Sequence, residues 1–185
     1  MIQAMIHALA QFVLAHAHWA PLLLALVAFS EALVVVGTLV PGSATLVAVG
    51  AAAGALHLPL LPLLLGAMSG AVAGDTLSFF LGRHYGPRLL SSPRLDKRRV
   101  WIVRGEKALS RWGDLAVFGG RLLPPTRALI PAMAGTSVLP WWRFLIADVF
   151  AALVWAALHL GAAAFVTHAL VHGGWFNTWW HAHGL

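Results

Sequence analysis

Apolar residues in this chain run in long blocks rather than in alternation or in narrow helical stripes. Between Ala20 and Gly82 only Glu31 and Asp75 are charged, and between Phe144 and Leu185 only Asp148 is. A bilayer-spanning helix needs about 20 mostly apolar residues, so each block has room for membrane segments. Residues 59–82 and 141–165 read as two full spans. The first is rich in small residues (Gly66, Ala67, Ser69, Gly70, Ala71, Ala73, Gly74), which let membrane helices approach closely.

Two further apolar stretches are interrupted. Residues 20–56 are broken by Pro41-Gly42, and residues 114–139 by Pro124-Pro125 and Pro131. Proline removes a backbone donor and glycine permits a tight turn, so each stretch predicts a helical hairpin dipping into the bilayer. At an offset of 83 positions, 37–52 can be set against 120–135. Gly37/Gly120, Leu39/Leu122, Pro41/Pro124, Leu46/Leu129 and Ala51/Ala134 then coincide. Paired interrupted segments in two halves of a chain point to a transport site between repeats. The fold class predicted is therefore an all-α membrane protein, one transmembrane domain over 1–185. Two re-entrant hairpins in an inverted-repeat-like arrangement accompany the spanning helices. Residues 2–18 predict a short helix that lies in the interface or crosses at a tilt. The tail 166–185, with its Trp residues, suits the headgroup level.

Composition agrees. Of 185 residues, 60% are hydrophobic and 10% charged, too few charges to cover a water-facing surface. The chain has no cysteine, which excludes disulfides and thiolate chemistry. Its beginning lacks a signal-peptide layout, so Met1 onward is expected to be mature protein. All twelve Lys and Arg lie between Arg83 and Arg143. The nine between Arg83 and Arg111 read as a cytoplasmic loop with an amphipathic surface helix rather than as a nucleic-acid site. Contact with anionic headgroups is expected to accompany it.

Ionisable groups inside membrane segments are costly and are usually functional or paired. Glu31, Asp75, Arg121, Arg127 and Asp148 are such groups. Arg121 and Arg127 bracket Pro124-Pro125, and a proline-broken turn can aim both into one pocket. The simplest arrangement sets carboxylates of one half against two guanidiniums of the other. Paired guanidiniums suit a phosphate, whose oxygens they grip through parallel hydrogen bonds. Buried ion pairs that only hold the fold would use the same residues, and sequence physics leaves both readings open. The ten histidines read as interfacial rather than metal-ligating, although His168 and His172 are four apart. No hydrolase, zincin or nucleotide-binding motif appears, so neither an enzyme nor a cofactor is expected.

The stretch FGGRLLPPTRALIPAMAG (118–135), followed by FLIADVFAALVW (144–155), resembles the DedA family of membrane proteins. The family pattern runs approximately F-x-G-R-x-x-P-x-x-R-x-x-x-P-x-x-A-G and then F-x-x-x-N-x-x-G-x-x-x-W. GAVAGDTLSFFLGRHYG (70–86) is similar to the family's G-x-x-x-G-D-x-x-x-Y-x-x-G-R-x-x-G, and Glu31 with Pro41-Gly42 sits where the family keeps a Glu and a Pro-Gly-acid turn. The resemblance implies two re-entrant hairpins and movement of phospholipids or polyprenyl-phosphate carriers across a bacterial cytoplasmic membrane, in some members coupled to protons. It implies that Glu31, Arg121 and Arg127 are essential charged residues. It also places Asp75 and Arg83 in the G-D…G-R motif and Pro41, Gly42, Ser43, Pro124, Pro125 and Pro131 at the hairpin turns. The partners implied are membrane lipids and protons, and a homo-oligomer is compatible with the chain. Four positions depart from the pattern. Ser43 stands in place of an acid, which shifts any proton step toward Asp75 or Asp148. Asp148 stands in place of Asn, Ala151 in place of Gly, and Phe79 in place of Tyr. A proton-coupled exporter of small cations or drugs, and a non-transporting membrane factor for envelope integrity, are the alternative functions.

Overall fold

The computed structural model describes residues 17–33, 42–86, 88, 99–123 and 126–172. The predicted helix 2–18 up to residue 16, the turn residues Pro41, Pro124 and Pro125, much of the basic loop, and the tail from 173 lie outside the described residues. Among the described residues every regular element is helical. A 3-10 turn (Ala17–Trp19) leads into α1 (Ala20–Ala32). Then come α2 (Gly42–Leu56), α3 (Leu60–Tyr85), α4 (Arg99–Trp112), α5 (Asp114–Leu122) and α6 (Ile130–Thr136). The last described elements are α7 (Trp141–Ala156), a π-turn (Ala157–Gly161) that continues it, and α8 (Ala162–His172).

Prolines set several of these boundaries. Pro59 and Pro140 are the residues before α3 and α7, and Pro21 and Pro131 fall in the first turns of α1 and α6. First-turn amides have no intrahelical acceptor, so proline loses nothing there. Gly113, at φ 51°, makes the turn from α4 to α5; a side chain is strained in that conformation.

Two helices are long and apolar enough to cross a membrane, Leu60–Tyr85 and Trp141–Val171. Both run past the predicted limits of 59–82 and 141–165, because the first polar residues, Arg83 and His84 in one and His168 in the other, continue the helix instead of ending it.

Packing against these two helices follows one scheme used twice. The first helix of each proline-interrupted pair lies along the long helix next in sequence, α1 on α3 and α5 on α7. The second helix crosses to the other half, α2 onto α8 and α6 onto α3. Gly66, Gly70 and Gly74 of α3 meet the backbone of Pro21, Ala25 and Phe29 of α1. Each step of four on one helix is matched by a step of four on the other, so α1 and α3 run in the same direction. Gly50 and Gly54 of α2 meet Leu160 of the π-turn and Ala164 of α8 in the same manner. With no driving force to hide apolar side chains from lipid, this close backbone approach supplies the attraction. Leu46 and Leu129, set against each other in the sequence alignment of the two halves, are both fully buried. Phe79, where the family pattern has Tyr, stacks on Phe144 at 4.5 Å between ring centroids and so needs no hydroxyl partner.

Candidate functional site

Six of the chain's polar and charged residues are buried among the described residues: Glu31, Asp75, Ser78, Arg121, Thr126 and Asp148. They come from α1, α3, α5, α7 and the turn before α6, and all but Ser78 and Thr126 carry charge.

The first charged group joins the end of α1 to the start of α2. Ser43 donates its backbone N–H to Glu31 Oε1 at 3.0 Å, and its hydroxyl lies 3.3 Å from the same oxygen. A carboxylate here accepts from the otherwise unpaired amides of the α2 N-terminus and complements the helix dipole. The other Glu31 oxygen, Oε2, forms an ion pair with Arg127. Arg127 Nη1 in turn donates to Ser43 Oγ at 2.5 Å. Ser43 therefore accepts from the guanidinium and donates to the carboxylate, which closes a ring of three residues from α1, α2 and the turn before α6.

The second group lies in the last turn of α5. Arg121 Nη1 donates to Asp148 Oδ1 at 2.7 Å and is ion-paired with Asp75. Asp75 and Asp148, each 1% exposed, come from the two long helices, so Arg121 ties α5 to both. The arrangement differs from carboxylates of one half facing guanidiniums of the other. Glu31 and Asp75 belong to the first half, whereas Asp148 comes from the second, on the helix along which α5 lies. Ser78, one turn after Asp75, donates to the Ala32 carbonyl at 3.1 Å and holds the end of α1 beside the site.

Trp155 connects the two groups. Its ring lies 4.8 Å from the Arg127 guanidinium and 5.5 Å from that of Arg121, and its side chain is buried. An aromatic face attracts a cation most strongly when both are desolvated. In the sequence Trp155 is only the last letter of a motif. A large aromatic in an apolar helix is usually lipid-facing or core, and its pairing with charges 28 and 34 positions away has no local signal. Thr126 is a second residue not legible beforehand. Its hydroxyl donates to the Gly120 carbonyl at 2.8 Å, bracing the turn between the two arginines.

Arg83 stands apart from the charge cluster. It donates to the Leu139 carbonyl at 2.6 Å and lies over the Phe79 ring. Pro131 is buried in the first turn of α6; Ser43, also expected as a turn residue, is hydrogen-bonded to Glu31 and Arg127. His168 packs edge-on against His57 at 5.2 Å. Among the described residues no three His, Asp or Glu are gathered as metal ligands would be.

Comparison with known proteins places this geometry in a family. The VTT domain profile matches residues 40–165, which include Ser43, both arginines, Asp75, Asp148 and Trp155. The inner membrane protein YabI of Escherichia coli is 32% identical over 130 residues, covering 70% of this chain and 51% of YabI. The protein DedA of Escherichia coli is 27% identical over 162 residues, 85% of this chain and 73% of DedA. An uncharacterized membrane protein of Mycobacterium tuberculosis is 32% identical over 128 residues, 65% of this chain and 58% of its own length. The chain spans about half the length of the first of these relatives. No solved structure matches it significantly. The chain belongs to the VTT domain family, the DedA family of membrane proteins.

Proposed function

We propose that the protein moves a lipid phosphate, a polyprenyl-phosphate carrier or a phospholipid, from one leaflet to the other, with proton uptake and release at its buried carboxylates. The observation that carries this reading is the gathering of Arg121 and Arg127 around the one Trp155 ring, at 5.5 and 4.8 Å from its centroid, inside an apolar helical body. Two guanidiniums gathered at one ring offer the forked donors that phosphate oxygens accept.

In the arrangement described, carboxylates hold the places that phosphate oxygens would take. The charges are two guanidiniums against Glu31, Asp75 and Asp148, so 2 − 3 leaves one excess negative charge. A phosphate anion entering such a site adds like charge, which is unfavourable at low dielectric. Protonating the carboxylates removes that penalty and frees the guanidiniums. Proton binding and phosphate binding are therefore coupled in sign. Among the described residues Arg121 Nε has no hydrogen-bond partner, and neither has Asp148 Oδ2. A buried donor left unmet costs about 1–3 kcal/mol, which a phosphate oxygen would recover.

The membrane placement follows the same reading. At about 1.5 Å rise per residue, α1 and α2 are roughly 20 and 22 Å long, short of the roughly 30 Å hydrocarbon core, so the two pairs act as re-entrant hairpins, with the end of α1 and the start of α2 at the charge cluster. The bilayer is the bacterial cytoplasmic membrane, with residues 83–111 on the cytoplasmic side. The acyl or prenyl chain stays in lipid while the headgroup crosses.

The excess negative charge favours one second reading, a proton-coupled exporter of small cations in which the arginines are structural. Reconstituted vesicles separate the two. Movement of a labelled polyprenyl phosphate or phospholipid, dependent on Arg121 and Arg127, is the expected result. Proton-coupled cation flux without lipid movement would establish the second reading, and neither activity in folded protein would leave a non-transporting membrane factor.

A further inference from the structure

Helix α4 carries two adjacent stripes of different chemistry. Trp101, Gly105, Ala108 and Trp112 follow one another at spacings of four, three and four; Gly105 lies against Ile130 and Met133 of α6, and with Gly119 and Gly120 of α5 the four residues line an apolar groove of about 410 Å³. Beside this seam run Arg104, Lys107 and Arg111, three exposed cations at spacings of three and four. Such spacings keep residues on one helix face, and Arg104 and Arg111 are about 10 Å apart along the axis. The face of α4 opposite the cations, with Ile102 and Leu109, is buried in the protein core, and Trp101 and Ala108 pack at its edge, so the helix is fixed with the cations outward and the seam between them and the core.

Each end of the groove pairs a tryptophan with an arginine. Arg104 lies 5.1 Å over the Trp101 ring and Arg111 lies 5.4 Å over the Trp112 ring. These contacts hold the guanidiniums at the groove's rim. At its inner wall the groove reaches Gly120 and Thr126, the residues next to Arg121 and Arg127. The floor is open at Gly119, where an added Cβ would meet nothing within 4 Å.

We infer that the groove between α4 and α5 is a docking site for a phosphate-bearing membrane lipid, its chain between Trp101 and Trp112 and its phosphate on the Arg104–Lys107–Arg111 stripe. The occupant follows from the two stripes together. An apolar trough with a cationic edge fits a molecule that is a chain at one end and an anion at the other, and a headgroup at a membrane-surface helix meets that description. The role of this site as the approach to Arg121 and Arg127 rests on the lipid-phosphate reading above.

The test uses the full chain in vesicles that contain a trace of phosphatidic acid with a photoactivatable diazirine in its chain. A diacylglycerol with the same chain is the control. Cross-links are mapped by mass spectrometry, and lipid movement is measured in the same vesicles. Phosphatidic acid is expected to label residues 101–123 in preference to diacylglycerol. Arg104→Gln with Arg111→Gln should reduce that labelling about tenfold or more, the loss expected for charge-assisted contacts. Gly119→Leu should block labelling by both lipids, and the open space at Gly119 lets it fold. Equal labelling by the two lipids, or labelling unchanged in both variants, would overturn the docking site. Labelling as expected without lipid movement would sink the transport reading and leave the docking site standing. Undiminished movement in a Gly119→Leu protein that no longer labels would overturn the groove's role as the approach to Arg121 and Arg127 and leave the transport reading standing.

Discussion

Arg127 and Ser43, 84 positions apart in sequence, are joined by a 2.5 Å hydrogen bond from the guanidinium to the serine oxygen. Through that bond one proline-interrupted helix pair reads the state of the other. Ser43 also contacts Glu31, so any change in the Glu31 charge is felt at Arg127 through the ion pair and through the shared hydroxyl.

Ser43→Ala removes the hydroxyl and leaves the Glu31–Arg127 ion pair in place. The expected loss of stability is about 1 kcal/mol, the net worth of a typical hydrogen bond. Ser43→Asp should behave differently. It adds a carboxylate beside Glu31, so one of the two must hold a proton, and the pH profile of lipid movement should shift. Thermal unfolding in detergent and pH-dependent flipping assays measure the two effects, and identical pH profiles for parent and Ser43→Asp would refute the second.

Arg121→Lys and Arg127→Lys keep the charge and lose the planar fork. Binding of a short-chain prenyl phosphate should weaken by about tenfold or more at either site while the protein stays folded. Arg121→Ala strands Asp75 and Asp148 and should cost about 3–5 kcal/mol of stability. Parental binding in both Lys variants would show that the arginines serve the fold alone.

Glu31→Gln tests the proton step. The Gln side-chain oxygen can still accept the Ser43 amide, so the α1–α2 junction survives. Without a titrating group at this position, lipid movement should lose its response to a proton gradient. A variant that responds like the parent would remove Glu31 from the coupling.

The packing scheme predicts opposite outcomes at two glycines. A Cβ at Gly74 would lie 2.6 Å from the Phe29 carbonyl oxygen and 2.7 Å from Ala32 Cβ, whereas one at Gly119 would meet nothing. Gly74→Val should destabilise by about 1–3 kcal/mol through overpacking. Gly119→Ala should be neutral or slightly stabilising, since alanine favours helix. Comparison of melting temperatures decides it, and equal stability of the two variants would contradict the α1–α3 contact.

Topology can be read directly because the chain lacks cysteine. Single cysteines placed at 91–98 should be shielded from an impermeant thiol reagent added outside intact cells and become reactive after permeabilisation. Labelling in intact cells would invert the proposed orientation.

The sequence by itself determined the helical class, the two long apolar helices, the proline boundaries and the identity of the buried charges. These are local properties. Twenty apolar residues in a row, a proline in a first turn, or an arginine in an apolar stretch each constrain structure without reference to distant parts of the chain. The amphipathic α4 was legible for the same reason, as a helical period within one segment. Partner choice was not. Nothing near Arg121 says that it takes Asp75 and Asp148 while Arg127 takes Glu31 and Ser43, nor that Arg83, two turns beyond Asp75, turns away to the Leu139 carbonyl. Those pairings depend on where α5 and the turn before α6 sit against the long helices. Close contacts of α6 on α3, Gly82 against Ala132 and Gly135 against Phe79 and Arg83, place the turn before α6, and those of Gly66, Gly70 and Gly74 with α1 place Glu31. The same packing puts Trp155 beneath both guanidiniums. Only the tertiary structure decided that relation, because ring and cations come from segments whose proximity is a consequence of folding and not of sequence spacing.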